Sequence, residues 1–322
     1  MTTAGGPRRE LRSAPVLGIG QATLDRRVAV ERFPEPDTKV ETSAVLEEGG
    51  GPVATALVAA ARLGAGCRIV AAAGDDAAGA RIRDGLESEG VETTHLLLRP
   101  GCSSPFSFVV VEPGAGRRTI FWTRGDAAPL QPGDVPPGLV ESAAALLIDG
   151  HQPEAQHHAA VRARGAGVPV VLDAGSLRPG TLRLLALADH AVVSERFARE
   201  WSRADHAAAL RALRRAGAAT AVITLGASGC VGLEGSQTVR VPSLEVEAED
   251  TSGAGDVFHG AYVVGMLLAL GLEDRLRLAC AAAGLKCARP GPRRGIPGLP
   301  AALAAAGLRL SAPPPPASRS TG

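Results

Sequence analysis

The densest chemistry in the chain lies in Asp250-Thr251-Ser252-Gly253-Ala254-Gly255-Asp256-Val257-Phe258-His259-Gly260. Gly253, Ala254 and Gly255 put small residues where a loop turns into a helix running on towards Leu270. Backbone N–H groups at such a start point outward with the positive end of the helix dipole, which suits a phosphate or a developing anion. Asp256 falls in the first turn, where the same dipole favours its ionised form. A carboxylate beside an anion hole is a general base able to take a proton from an attacking hydroxyl. An N-terminal cap alone would account for one Asp and one Gly, but not for Gly-Ala-Gly-Asp with a second acid at Asp250.

The elements that must hold this loop alternate along the chain. Short apolar runs at Val16 to Gly20, Arg68 to Ala73, Ala144 to Ile148, Val168 to Leu172, His190 to Val193 and Ala219 to Thr224 read as strands. Between them, Val53 to Leu63, Ala77 to Ser88, Pro153 to Arg164, Pro179 to Leu187 and His206 to Arg215 read as helices, with Pro52 at a first turn and Gly64 at a C-cap position. That alternation predicts a parallel sheet covered on both faces. Thr38 to Glu48 and Phe106 to Trp122 break the pattern, with β-branched and aromatic residues in polar alternation, and read as antiparallel strands of a small accessory sheet. Gly229 to Leu233 and Thr238 to Pro242 read as an edge hairpin around Glu234-Gly235-Ser236. The fold class expected is an α/β three-layer α/β/α sandwich with a mostly parallel central sheet and a small β-sheet lid.

The 322 residues would suggest about two domains at ~150 residues each. The patterning instead gives one large domain over 14–310, with a discontinuous lid at about 26–48 and 105–123. Residues 1–13 and the Pro-rich 311–322 are expected to be disordered tails. Lys plus Arg number 34 against 33 Asp plus Glu, which argues against nucleic acid, since counterion release needs a clustered basic excess. The longest apolar run, Val263 to Leu272, falls short of the ~20 residues a bilayer requires. Met1 to Ala14 has no apolar core, so no secretory signal is read there. The five cysteines are scattered, never C-x-x-C, with Cys280 and Cys287 on one helix, so a reduced cytoplasmic protein is expected.

The 250–256 segment resembles the D-T-x-G-A-G-D signature of the ribokinase-like carbohydrate kinases, the PfkB family. Gly49-Gly50-Gly51-Pro52-Val53-Ala54-Thr55 with Ala61-Arg62-Leu63-Gly64 resembles a second landmark of that family, and Gly74-Asp75-Asp76 with Gly79 a third. The resemblance implies that Asp256 is the catalytic base for a sugar hydroxyl. It implies that the backbone of Gly253, Ala254 and Gly255 is the anion hole for the transferred γ-phosphoryl group. Asp25 would bind sugar hydroxyls, Gly49 and Gly50 would let the substrate approach the backbone, and Thr55 stands where the family often has Asn. Thr224-Leu225-Gly226-Ala227-Ser228-Gly229 resembles the family's nucleotide turn, with Thr224, Gly226 and Gly229 as its contacts. Asp250 and Thr251 would belong to a loop that often holds a monovalent cation such as K⁺. ATP and Mg²⁺ are implied as cofactors. The family's N-x-x-E position reads Ser194-Glu195-Arg196-Phe197, which leaves either Glu195 or ATP itself to hold the metal.

Within the family, the sulfofructose kinase branch gives the nearest resemblance, in Gly49-Gly50-Gly51-Pro52, Ala188-Asp189-His190-Ala191…Ser194-Glu195, Asp256-Val257-Phe258-His259-Gly260 and Leu285-Lys286-Cys287-Ala288-Arg289-Pro290-Gly291. Its lid lysine matches Lys39, but its Asn falls on Trp122 and its Arg on His151. Losing the planar Arg fork turns the expectation away from a sulfonate and towards a neutral or differently substituted sugar, with a ketose favoured. Lys39, Trp122 and Arg124 are placed on the lid strands. Arg289, Arg293 and Arg294 are read as a solvated loop near the nucleotide, and Asp173 and Arg178 as bordering the phosphates. The expected activity is ATP-dependent phosphorylation of a small sugar, with homodimerisation through the lids. Sulfofructose, 2-keto-3-deoxygluconate and nucleoside kinases are the enzyme alternatives, and a catalytically silent sugar or nucleotide sensor is the alternative of another class.

Overall fold

The computed structural model describes residues 11, 13–42, 45–112 and 117–310. Nine strands form one sheet in the order β13-β12-β11-β10-β9-β8-β1-β4-β5. These are β1 (Val16–Ile19), β4 (Cys67–Gly74), β5 (Val91–Arg99), β8 (Ala145–Ile148), β9 (Val170–Ala174), β10 (His190–Ser194), β11 (Thr220–Thr224), β12 (Cys230–Glu234) and β13 (Gln237–Val241). All neighbours pair in parallel except β11–β12 and β12–β13, which form the antiparallel edge hairpin.

The parallel strands are buried on both faces, and alternate side chains feed two separate cores. In β1, Val16 enters one core while Leu17 and Ile19 enter the other. The first core lies under α1 (Pro52–Arg62), α7 (Ala254–Leu267), α8 (Leu272–Cys287) and α9 (Leu299–Ala306). The second lies under α3 (Pro153–Ala166), α4 (Thr181–Leu185), α5 (Glu195–Ser202) and α6 (His206–Arg215). Gly18 lets α1 sit close on the sheet, since a Cβ there would come within 2.6 Å of Leu57 and Val53. Asp76 caps α2 (Ala77–Ser88) by accepting from Gly79 N at 2.8 Å and also accepts from Ser104 N at 3.0 Å, fixing the root of the lid.

The second sheet has four strands in the order β3-β2-β6-β7: β3 (Val45–Gly50), β2 (Thr23–Ala29), β6 (Phe106–Glu112) and β7 (Arg117–Thr123). Its outer pairs are antiparallel, but the central β2–β6 pair is parallel, so the lid is a mixed sheet. Strand β2 is the main departure from the sequence reading, which put the first lid strand at 38–48. Residues 38–42 are irregular, and Lys39 is an exposed loop residue, not a strand residue. Most of the two expected tails lies outside the described residues. Leu11 is an exception: it is 2% exposed, and its carbonyl accepts from Gly66 N at 3.2 Å, docking it on the first core.

Candidate active site

Gly253 has φ +71° and forms the N-cap of α7. A Cβ there would lie 2.9 Å from the Pro292 carbonyl oxygen, so glycine answers both backbone shape and space. Ala254 N donates to Thr251 O at 3.3 Å, and Val257 N to Gly253 O at 2.9 Å. The N–H groups of Gly253, Gly255 and Asp256 have no protein acceptor among the described residues. Of the three expected anion-hole amides, Gly253 and Gly255 are thus free and Ala254 is engaged, with Asp256 adding a further free donor.

The Asp256 carboxyl is pushed up to about 8, first by burial and then by the negative charges of Asp173, Asp25 and Asp149, against the pull of His259. A base poised near neutral pH can both hold and release a proton during turnover. His259, one turn on, ties α7 to the main sheet. Its Nδ1 lies 2.6 Å from Gly255 O and 3.3 Å from Asp173 Oδ2, and its Nε2 lies 3.1 Å from Val192 O. Burial drives the Asp173 carboxyl well up, with the charge of Asp149 adding to it. Asp149 accepts four hydrogen bonds: from Gln21 N at 2.8 Å, Val53 N at 3.4 Å, His151 N at 2.9 Å and Gln156 Nε2 at 2.8 Å. This one carboxylate joins the carboxyl ends of β1 and β8 to the starts of α1 and α3, at the edge where parallel sheets place ligands.

The lid supplies the opposite wall. Asp25 accepts from Thr23 Oγ1 at 2.9 Å and bonds Ser107, and burial raises its carboxyl. Register pairs Asp25 with Ser107 and Ser107 with Trp122, so Trp122 shares the sheet face that carries Asp25. Trp122 is 51% exposed, with the Arg124 guanidinium 5.4 Å from its ring centre. Gly49 and Gly50 make room for the site's own side chains. A Cβ at Gly50 would lie 2.2 Å from Asp25 Oδ2, and one at Gly49 would lie 2.2 Å from an Arg293 guanidinium nitrogen. Arg293 is thus buried rather than solvated, and donates to Gly50 O at 3.2 Å. Burial brings its guanidinium down to about 10, opposed by the Asp25 charge. Thr55 is fully buried on α1, and its hydroxyl has no partner among the described residues. His151 lines a cavity of about 270 Å³ with Gln21, Arg124, Asp126 and Gln152, and its buried Nδ1 has no hydrogen-bond partner among the described residues.

The Thr224–Gly229 turn leaves the carboxyl end of β11. Leu225 N donates to Gly229 O at 2.8 Å, and Gly229 at φ +82° leaves no room for a Cβ, which would lie 2.0 Å from Val241 O. Ser194 caps α5 by accepting from Phe197 N at 3.0 Å. Phe197, at the position expected to carry Glu, is fully buried in the second core. Glu195 is engaged by Arg199 at 3.0 Å and His206 at 3.0 Å. Among the described residues no cluster of three or more His, Cys, Asp or Glu side chains could hold a metal ion.

The pfkB family carbohydrate kinase sequence pattern matches residues 14–298. This chain belongs to the pfkB family of carbohydrate kinases. It is 28% identical to Bacillus subtilis ribokinase over 282 residues, covering 87% of this chain and 94% of that enzyme. It is 25% identical to a nucleoside kinase of Methanothermobacter thermautotrophicus over 293 residues, 88% of this chain and 92% of the relative. A solved protein of Agrobacterium tumefaciens superposes with a TM-score of 0.83 at 29% identity, covering 92% of this chain and 98% of its own. Arabidopsis thaliana ribokinase, solved with ribose and ATP, superposes at 0.81 with 23% identity over 92% of this chain and all of its own. The protein is therefore a sugar or nucleoside kinase of the ribokinase type, a phosphotransferase with a hydroxyl acceptor.

Several residues that shape this pfkB kinase's site escaped the sequence reading. Asp149, Arg293 and Lys286 are charged side chains buried, and Arg27 one half-buried, by partners far away in the chain, and no local pattern marks them. Arg27 Nε lies 3.2 Å from Asp250 Oδ2, and Arg118 donates to Thr251 Oγ1 at 3.0 Å, so both lid halves reach the loop before α7. Burial lowers the Arg178 guanidinium and the charge of Arg124 adds to this; burial also lowers the His151 imidazole, with the charges of Arg178 and Arg124 adding to it. Among the described residues no helix is long and apolar enough to cross a membrane.

Proposed function

We propose that the chain transfers the γ-phosphoryl group of ATP to a hydroxyl of a small sugar, or of the sugar part of a nucleoside, with Asp256 as general base. The observation that carries this reading is the half-buried Asp256 carboxyl in the first turn of α7, whose N-terminal amides at Gly255 and Asp256 lack protein acceptors. The substrate hydroxyl would give its proton to Asp256 as its oxygen forms a bond to the γ-phosphorus. The bond from that phosphorus to the bridging oxygen then breaks, and ADP leaves with the electron pair. The two amides would meet the charge on the transferred group, in a reaction that is mostly positioning and neutralisation. Asp25, Trp122 and His151 would frame the sugar, with Thr224, Gly226 and Gly229 along the nucleotide. Mg²⁺, carried by the phosphates of ATP, would neutralise their charge. The names of the relatives, and the ribose and ATP held by the Arabidopsis ribokinase, support a sugar in the cavity beside His151, with pentoses and ketoses first in line.

The test is ADP release with ATP and Mg²⁺ over pentoses, ketoses, 2-keto-3-deoxygluconate, ribose 1-phosphate and nucleosides. One acceptor class should turn over, and Asp256→Asn should lose ~10²- to 10⁴-fold in kcat with little change in sugar binding. If no acceptor turns over while a sugar still raises the melting temperature, the site binds without this chemistry and the reading fails.

A further inference from the structure

Lys286, in the last turn of α8, is fully buried, and its Nζ donates to the backbone carbonyl of Asp250 at 2.7 Å. An ammonium removed from water is costly unless other charges and acceptors compensate it. Here Asp250 and Glu48 draw on the charge, while Arg118 opposes it. The Asp250 carboxylate is equally occupied. Its Oδ1 accepts from Ser252 N at 2.8 Å, and its Oδ2 accepts from Gly291 N at 2.8 Å and faces Arg27 Nε at 3.2 Å. The Thr251 hydroxyl accepts from Arg118. The family resemblance implies a monovalent cation at Asp250 and Thr251. The residues present do not fit one, because these two carboxylate oxygens, this carbonyl and this hydroxyl already face donors, three of them cationic.

We propose that the Lys286 ammonium is a built-in substitute for the monovalent cation, a fixed positive charge that holds the loop from Asp250 to Gly253. The helix that follows presents the free amides of Gly255 and Asp256, so the shape of this loop sets where those donors point. Lys286 is a positioning residue: it acts through the Asp250 carbonyl and touches no reacting group. The backbone adds a second tether, since Glu249 N and Asp250 N donate to Cys287 O at 2.8 and 3.1 Å. A covalently held charge does not depend on the ionic composition of the medium, so this kinase should work equally in K⁺ and in an ion too large to bind.

The first measurement needs no substrate. The melting temperature of the wild-type chain should agree within about 1 °C between potassium chloride and tetramethylammonium chloride at matched ionic strength. Lys286→Ala opens space at the Asp250 carbonyl, and its melting temperature should rise by roughly 3 °C or more when K⁺ or NH₄⁺ replaces tetramethylammonium. With an acceptor identified by the substrate panel, wild-type kcat should not change with the cation. Lys286→Ala should lose about 10²-fold in tetramethylammonium, the cost of small misplacements near reacting atoms, and recover at least part of it in K⁺ or NH₄⁺. Strong stimulation of the wild type by K⁺ would overturn the proposal, and so would a Lys286→Ala enzyme that keeps full activity in tetramethylammonium. If Lys286→Ala does not fold, the wild-type comparison of cations decides alone. The melting data stand apart from the base assignment of Asp256, so failure of one leaves the other intact.

Discussion

Arg27, in the middle of the lid strand β2, lies 3.2 Å from the carboxylate of Asp250, whose side chain is 3% exposed. The lid is thereby latched to the loop that leads into α7. Arg27→Ala leaves a buried carboxylate short of one cation, at a cost of about 3 kcal/mol, the low end for a broken buried pair because Ser252, Gly291 and Lys286 remain. We expect a lower melting temperature together with a raised KM for the sugar. Arg118→Ala breaks a contact to a hydroxyl from an exposed side chain and should stay within about 0.5 kcal/mol. Thermal melts and sugar KM values of the two variants check the contrast, and equal effects would count against the latch.

The Asp256 carboxyl, pushed up to about 8, gives a pH dependence with a definite sign. A base must be ionised to act, so kcat/KM should fall on the acid side of an apparent pKa near 8. For stability, a carboxyl whose folded pKa lies above its unfolded value resists ionisation in the folded state. Stability is therefore whole below the ordinary carboxylate range and is lost as pH rises towards 8. Asp256→Asn should gain in melting temperature relative to wild type across that window, with the gap levelling off above it. Melting curves from pH 4 to 9 provide the check, and a gap that shrinks as pH rises would refute the assignment.

Two glycines should respond oppositely to alanine. At Gly50 a Cβ would lie 2.2 Å from Asp25 Oδ2, so Gly50→Ala must displace a proposed sugar contact. Overpacking of this kind costs ~1–3 kcal/mol, and sugar KM should rise with it. Gly85, inside α2, has no neighbouring atom within 4 Å of an added Cβ. Gly85→Ala should stabilise by up to ~1 kcal/mol through helix propensity and leave kinetics unchanged. Denaturant midpoints and steady-state kinetics measure both.

The outer face of the lid carries Phe108, 37% exposed, Phe121, 55%, and Val45, 59%. We propose that a second copy covers this face, as lid-to-lid homodimerisation would require. Phe108→Ser with Phe121→Ser should shift sedimentation from dimer to monomer. A wild-type chain that sediments as a monomer at every concentration would dismiss the idea.

Much of this was legible from the sequence, and the reasons for the rest are specific. Ala77–Ser88 and His206–Arg215 could be read to the residue because Asp76 and Asp205 cap them, each accepting from the N–H three positions on. The inner strands were legible because burial on both faces leaves them uniformly apolar. Strand β2 was missed because Asp25, Arg26 and Arg27 interrupt its hydrophobic alternation; Asp25 bonds Thr23 and Ser107, and Arg27 faces Asp250. Arg293 read as a solvated cation and nothing local marked Lys286, since the burial of Lys286 depends on Asp250, 36 residues away, and that of Arg293 on Gly50, 243 away.

The scarcity of aromatic residues has a practical result. The chain has two tryptophans and one tyrosine. Trp122 stands half-exposed on the lid, while Trp201 lies on α5 with its ring centre 6.1 Å from that of buried Phe197. The intrinsic fluorescence therefore divides cleanly in space, one emitter on the small sheet and one beside the main sheet. Enclosure of a ligand would strip water from Trp122 and shift its emission to the blue, while Trp201 serves as an internal reference. Replacing Trp201 with Phe would leave a single-tryptophan enzyme whose colour reports, without any label, whether the lid is shut.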